Sequence, residues 1–278
     1  MDTNKVWLVT GASKGLGLAL VKQLIAQGYR VAGTSRSIAS LEKVIEKSAN
    51  FLPLEMDILN EESIQKGVES TVKAFGKIDV LVNNAGYGQL GTLEELSDRE
   101  ARENFDANVF GSLNVIRQVM PLMRSQKSGH IMNVASIGGL LGAFPGWGVY
   151  CATKFAVAGF TEALASEASE FGISATVVYP GYFRTNFLES GSLNTPQKPI
   201  HEYTTARALE LKHKEEIAGN QPGNPELAAE AFINLGNMQN PPVHFVMGSD
   251  AYGLAEAKIN MLKTDMTSNE ALSKSTDY

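Results

Sequence analysis

Short apolar runs alternate with helical patterns from one end of this chain to the other, and that alternation limits the fold more than any other feature. Apolar runs read as strands at Val6 to Val9, Val31 to Thr34, Phe51 to Met56, Val80 to Val82, Ile131 to Val134, Ser174 to Tyr179 and Val243 to Met247. Helical faces fall between them. Leu16, Leu20 and Leu24 share one, and Ile64, Val68, Val72 and Phe75 share another behind Asn60 as cap. A long helix spans Asp98 to Gln126, and Val157, Phe160 and Leu164 mark the next. Repeated strand–helix–strand units demand right-handed crossovers and a parallel sheet covered on both faces. The expectation is an α/β, doubly wound, seven-stranded parallel sheet, in which ligands bind beyond the carboxyl ends of the strands.

At 278 residues and 44% hydrophobic side chains, the chain suffices for one such domain. We place it at 1–264. Residues 186–224 interrupt the pattern with prolines around a charged helical piece, Thr204 to Ile217, and read as an insertion that covers the substrate side as a lid. Residues 265–278 read as a polar, frayed tail.

Charge and cysteine content exclude several functions. With 24 Lys and Arg against 30 Asp and Glu, the net charge of -6 lacks the basic footprint of a nucleic-acid binder. The single cysteine, Cys151, forbids an intrachain disulfide or a thiolate zinc site, and no metal is expected. The first residues carry an early acid and no long apolar run, so no secretory signal or membrane segment is read. The expected location is cytoplasmic.

Thr10-Gly11-Ala12-Ser13-Lys14-Gly15-Leu16-Gly17 follows the first strand and opens a helix. Such a turn binds phosphate. Gly11 permits the tight turn, Gly15 the close approach of backbone N–H groups, and Gly17 close packing of the helix whose N-terminus attracts the anion. The same residues also fit G-x-S-x-G, the nucleophile elbow of hydrolases, but only one strand precedes them here. At the end of the second strand stand Ser35, uncharged, and Arg36. An acid there suits the ribose hydroxyls of NAD. Arg36, with Lys14, suits the 2′-phosphate of NADP(H).

Tyr150 and Lys154 lie four apart and share a helix face. A cation beside a phenol lowers its pKa towards the range of a general acid. Ser136 closes the fifth strand, Asn83-Asn84-Ala85-Gly86 closes the fourth, and Asn108 sits on the long helix between them. With the glycine turn, Asp57, and Pro180-Gly181, these elements in this order resemble the short-chain dehydrogenase/reductase family over about residues 5–187.

The resemblance implies a Rossmann fold, and roles for the matching residues. Tyr150 would donate the proton to a carbonyl oxygen, Ser136 would hydrogen-bond that oxygen, and Lys154 would lower the Tyr150 pKa and hold the nicotinamide ribose. Asn108 would bind a relay water, although it also suits a helix kink. Cofactor contacts are implied for Gly11, Ser13, Lys14, Gly15, Leu16, Gly17, Ser35 and Arg36. Asp57 and Ile58 would meet adenine, and Asn84, Ala85 and Gly86 the adenosine ribose. Pro180, Gly181, Phe183 and Thr185 would frame the nicotinamide. Phe183 departs from the family's small aliphatic residue, and the Ser136–Tyr150 spacing is one residue longer than expected. Tyr87, Leu140, Leu141, Phe144, Trp147, Tyr182, Phe187 and Leu188 form the expected substrate wall. It is apolar and aromatic, with only Arg184 as a charged neighbour, and points to a hydrophobic or aryl ketone reduced by NADPH. A 3-oxoacyl-carrier-protein reductase, a steroid or retinol dehydrogenase and a non-catalytic dinucleotide sensor are the alternatives. A homodimer or homotetramer packed through helices 98–126 and 149–170 is implied as well.

Overall fold

The computed structural model describes residues 3–188 and 191–278. Its main sheet has seven strands, all parallel. In chain order they are β1 (Val6–Val9), β2 (Arg30–Ser35), β3 (Phe51–Glu55), β4 (Val80–Asn83), β6 (Gly129–Val134), β7 (Ile173–Pro180) and β9 (His244–Met247). Across the sheet the order is β3-β2-β1-β4-β6-β7-β9, so the direction of winding reverses between β1 and β4. A crevice opens at such a reversal, because the crossovers on its two sides depart in opposite directions.

The inner strands β1, β2, β4, β6 and β7 are buried on both faces, which is why they read as continuous apolar runs rather than alternating ones. Val80 and Val82 face one layer, where α1 (Gly15–Ala26) and α8 (Pro225–Asn237) pack. Leu81 faces the other, built from α3 (Glu61–Phe75), α5 (Gly111–Gln126) and α6 (Gly148–Ala168). Local signals start and stop these helices. The Asn60 side chain accepts from the Ser63 N–H at 2.9 Å, and α3 ends at Gly76 with φ 85°. Ser97 and Glu100 form a reciprocal capping box on α4 (Asp98–Phe105).

The long helix foreseen over 98–126 is interrupted. A π-helical turn, Asp106–Phe110, joins α4 to α5. The insertion contains β8 (Leu193–Asn194), which pairs with β5 (Gly88–Gln89) as a two-stranded sheet. It continues as α7 (Thr204–Lys212) and a second π-turn, His213–Ile217. Neither two-residue strand is long enough to show a period. A short α2 (Ile38–Glu42) also went unforeseen.

The tail corrects an expectation. Instead of fraying, the chain runs as α9 (Ser249–Ser268) and α10 (Glu270–Lys274) to within a few residues of its end. Only Ala251 and Ala255 of α9 are buried. Polar composition here reflects a helix exposed on most sides. Local bonds sustain it, including Thr267 Oγ1 to the Lys263 carbonyl and the Lys274–Glu270 ion pair.

Candidate active site

A cleft of about 710 Å³ lies over the carboxyl ends of the strands at the winding reversal. On the β1 side, Gly11 has φ 66°, and a Cβ there would stand 2.9 Å from the Ala85 Cα. A Cβ on Gly17 would stand 2.5 Å from the Gly11 carbonyl oxygen. Gly17 therefore lies beneath the turn, packing α1 against it, and does not line the cleft. Asn84 ties the two sides together. Its Nδ2 donates to the carbonyls of Thr10 at 3.0 Å and Gly11 at 3.1 Å. Thr10 Oγ1 accepts in return from the N–H groups of Asn84 and Ala85, both at 3.0 Å. No motif assigned Thr10 a role; a hydroxyl closing an apolar strand was its only signal.

Helix α1 begins at this turn with no side-chain cap and no acid in its first turn. Its N–H groups thus remain available to an anion, which fits a pyrophosphate. Ser13, Lys14, Gly15, Leu16, Ser35 and Arg36 line this end of the cleft. The Ser35 and Ser13 hydroxyls are 3.4 Å apart. Lys14 Nζ donates to the Gly191 carbonyl, and burial and then the charge of Arg36 lower its pKa. Two cations and two hydroxyls therefore line one end of the cleft. Asp57 and Ile58 line the cleft beyond β3. The Asp57 carboxylate accepts from the Leu59 N–H at 3.0 Å, fixing the turn that presents both.

At the other end Ser136, Tyr150 and Lys154 meet. Ser136 follows β6, and its Oγ accepts from the Gly138 N–H at 3.0 Å. Tyr150 and Lys154 sit in the first turns of α6, both buried. Lys154 Nζ donates to the Val134 carbonyl at 2.9 Å and stands 5.8 Å from the centre of the Tyr150 ring. Burial raises the Tyr150 pKa well above its ordinary value, while the Ser136 hydroxyl partly opposes the rise. Burial pulls Lys154 down to about 8. The expected lowering of Tyr150 by Lys154 is not what the site shows: loss of solvation sets the direction of both shifts.

Asn108 lies on the first π-turn rather than on the cleft wall. Its Nδ2 donates to the Tyr87 carbonyl and to Thr153 Oγ1, each at 3.0 Å, and its Oδ1 accepts from the Tyr87 N–H at 3.0 Å. Thr153 Oγ1 donates to the Tyr150 carbonyl at 2.7 Å. Asn108 therefore braces the backbone that carries Tyr150 and the loop after β4. It sits at the interruption of the helix, but its side-chain bonds run to Tyr87 and Thr153 rather than along that helix.

Most of the remaining residues expected at the site do line the cleft: Asn84, Ala85, Gly86, Tyr87, Phe144, Trp147, Pro180, Gly181, Tyr182, Phe183, Thr185, Phe187 and Leu188. Leu140 and Leu141 do not. Leu140 turns inward against Val157, Tyr179 and Val246, because the 3₁₀ turn Ile137–Gly139 redirects the chain after Ser136. The Phe183 ring packs over Gly223 and into the α1–α8 layer, so it forms floor more than obstruction. Arg184 is drawn aside, donating from Nε to the Gln221 carbonyl at 3.3 Å. Sequence reasoning missed His213 and Asp250. The Asp250 carboxylate accepts from the Tyr182 N–H at 2.7 Å.

The sequence model of the short chain dehydrogenase family matches residues 5–195. The chain belongs to the short-chain dehydrogenase family. As a member it is an oxidoreductase acting on small molecules, on a fold that binds a nicotinamide dinucleotide. It is 34% identical over 250 residues to the oxidoreductase BOA17 of Botryotinia fuckeliana, covering 89% of this chain and 90% of that one. It is 36% identical over 246 residues to the 3-ketodihydrosphingosine reductase of Bacteroides thetaiotaomicron, covering 88% of each. A short-chain dehydrogenase from Streptomyces avermitilis superposes with a TM-score of 0.89 at 33% identity, covering 99% of both chains. Among the described residues no helix is long and apolar enough to cross a membrane, and no cluster of potential metal ligands occurs.

Proposed function

We propose that this short-chain dehydrogenase is an NADPH-dependent carbonyl reductase for hydrophobic or aryl ketones. The observation that carries the reading is one cleft joining Ser136, Tyr150 and Lys154 to a mostly apolar wall. Bound NADPH would supply a hydride to the carbonyl carbon. The chain's own part is the oxygen: Ser136 donates a hydrogen bond to it, and Tyr150 gives it the proton. Lys154 stands beside the phenol to balance charge as that proton leaves, and holds the ribose.

The glycine turn and the N-terminus of α1 would hold the pyrophosphate, Asp57 and Ile58 the adenine. Ser35, Arg36, Ser13 and Lys14 would hold a 2′-phosphate, whose charge of roughly -1.5 to -2 suits two cations and repels an acid. The insertion, two of whose residues, Glu189 and Ser190, lie outside the described ones, would cover the bound ketone.

Two observations in solution test this reading. Consumption of NADPH with acetophenone would separate a reductase from a dinucleotide sensor. Wild type should prefer NADPH over NADH in kcat/KM by more than about tenfold, since a bidentate charged contact is worth over ~1.4 kcal/mol. Ser35→Asp with Arg36→Ala should abolish that preference. Equal use of NADH by wild type would overturn the cofactor assignment. The relative's name favours one second reading, a long-chain lipid ketone as substrate, which the same apolar wall would admit.

A further inference from the structure

A buried histidine lies behind the cleft wall, against Tyr182 and Trp147, and has no part in the reaction above. His213 opens the second π-turn, inside the insertion, and is 1% exposed. Its Nδ1 lies 2.7 Å from the Leu209 carbonyl oxygen. A carbonyl only accepts, so Nδ1 carries the proton. In the neutral ring Nε2 is then an acceptor, and its partner is the Tyr182 hydroxyl at 2.8 Å. Tyr182 must therefore spend its one O–H proton on His213. Burial, reinforced by the nearby Lys212, disfavours the imidazolium that would reverse these roles.

The Tyr182 oxygen keeps acceptor capacity that the histidine does not use. Tyr182 lines the same cleft as Tyr150, close enough for its phenol to add to the raised Tyr150 pKa. Its place is rigid. The Tyr182 N–H donates to Asp250, its carbonyl accepts from the Gly223 N–H at 2.9 Å, and the His213 ring is held between Trp147 and Tyr182, with ring centres 5.2 and 5.7 Å away. An oriented acceptor in a mostly apolar wall favours a ligand that brings a donor, because a ligand without one leaves it unpaired.

We propose that Tyr182, oriented by His213, is a specificity-determining residue that accepts a hydrogen bond from a hydroxyl or amino group near the carbonyl of the substrate. This rests on the carbonyl-reductase reading and narrows it, from apolar ketones in general to apolar ketones bearing a donor beside the reacting carbon.

The test uses two phenyl ketones of similar electronic character, 2-hydroxyacetophenone and 2-methoxyacetophenone, of which only the first can donate. Wild type should favour the hydroxy ketone in kcat/KM by more than about tenfold, the scale of one satisfied against one orphaned polar group. Tyr182→Phe should lower the hydroxy ketone's kcat/KM disproportionately, so that the preference collapses, and His213→Gln should erode it. An equal fall for both ketones in Tyr182→Phe would reduce Tyr182 to a structural residue and overturn the proposal, as would the absence of any preference in wild type. Turnover of neither ketone with any nicotinamide cofactor would overturn the reductase reading itself, and the proposal with it. Nitrogen NMR of the full chain, with His213→Gln for assignment, checks the arrangement without turnover. An Nδ1-protonated ring is expected, and an Nε2-protonated ring overturns it.

Discussion

Tyr150 and Lys154 are each buried beside the other, and burial acts on them in opposite directions. The phenol holds its proton more firmly than in water, and the ammonium gives its proton up more readily, at about 8. Tyr150 is therefore protonated across the neutral range and ready to donate. Lys154 is charged below pH 8 and loses its charge above it. Ketone reduction should accordingly hold steady below about pH 8 and decline above it. Lys154→Arg should move that decline upward in a pH profile of kcat/KM. Tyr150→Phe should retain cofactor binding and thermal stability while turnover falls by about 10²-fold or more, the scale of one general acid. Near-normal turnover would remove Tyr150 from the chemistry. The spacing of Tyr150 and Lys154 was legible in the sequence because i and i+4 share a helix face. Their protonation balance was not, because desolvation depends on what the insertion and β6 place around them.

The insertion is held by elements that precede it by a hundred residues. The buried Glu95 accepts from the Thr92 and Ile200 N–H groups, both at 2.7 Å, and pairs with Arg207 at 2.9 Å. Glu100, already in the α4 capping box, accepts from the Gln197 N–H at 3.0 Å. Burial works to raise both carboxyl pKa values, but these donors outweigh it and hold them below the ordinary range. The resulting stability is present above the unfolded carboxyl pKa of about 4.3 and is lost as pH falls through the lower folded values. Glu95→Gln should destabilise the chain by about 1–3 kcal/mol in urea unfolding, since it weakens the acceptor of the Thr92 and Ile200 N–H groups and leaves Arg207 paired with Glu210 alone. It should also expose residues 194–207 to protease first. Unchanged stability would show that Glu95 anchors nothing. The sequence displayed the helix from Asp98 onward and the charged helical piece from Thr204 onward. The clamp between them pairs residues about a hundred apart, and no local pattern announces such a pairing.

At the level of the molecule, the strands and their parallel class were readable because the inner ones are apolar on both faces. The tail was misread because an exposed helix and a frayed coil share a polar composition. Two large apolar side chains remain on the outer face of the long helices, Phe110 at 51% exposed and Phe155 at 40%. A homodimer or homotetramer packed through these helices, as the family resemblance implies, would cover that pair. Mass measurement in solution should give a dimer or tetramer, and Phe110→Glu with Phe155→Glu should shift it towards monomer. A wild-type monomer at micromolar concentration would contradict this.

The layer joining α1 to α8 bears on how the chain is made. Trp7 on β1 packs beneath Gly236, Lys5 Nζ donates to the Gly236 carbonyl across 231 positions, and the Tyr29 hydroxyl accepts from Asn237. The strand and helix over residues 6–26 therefore cannot complete their burial until residue 237 has left the ribosome. At about 5–20 residues per second the wait is roughly 10–50 s. For that interval the apolar face of α1 is bare. A translational pause before residue 237 lengthens that exposure.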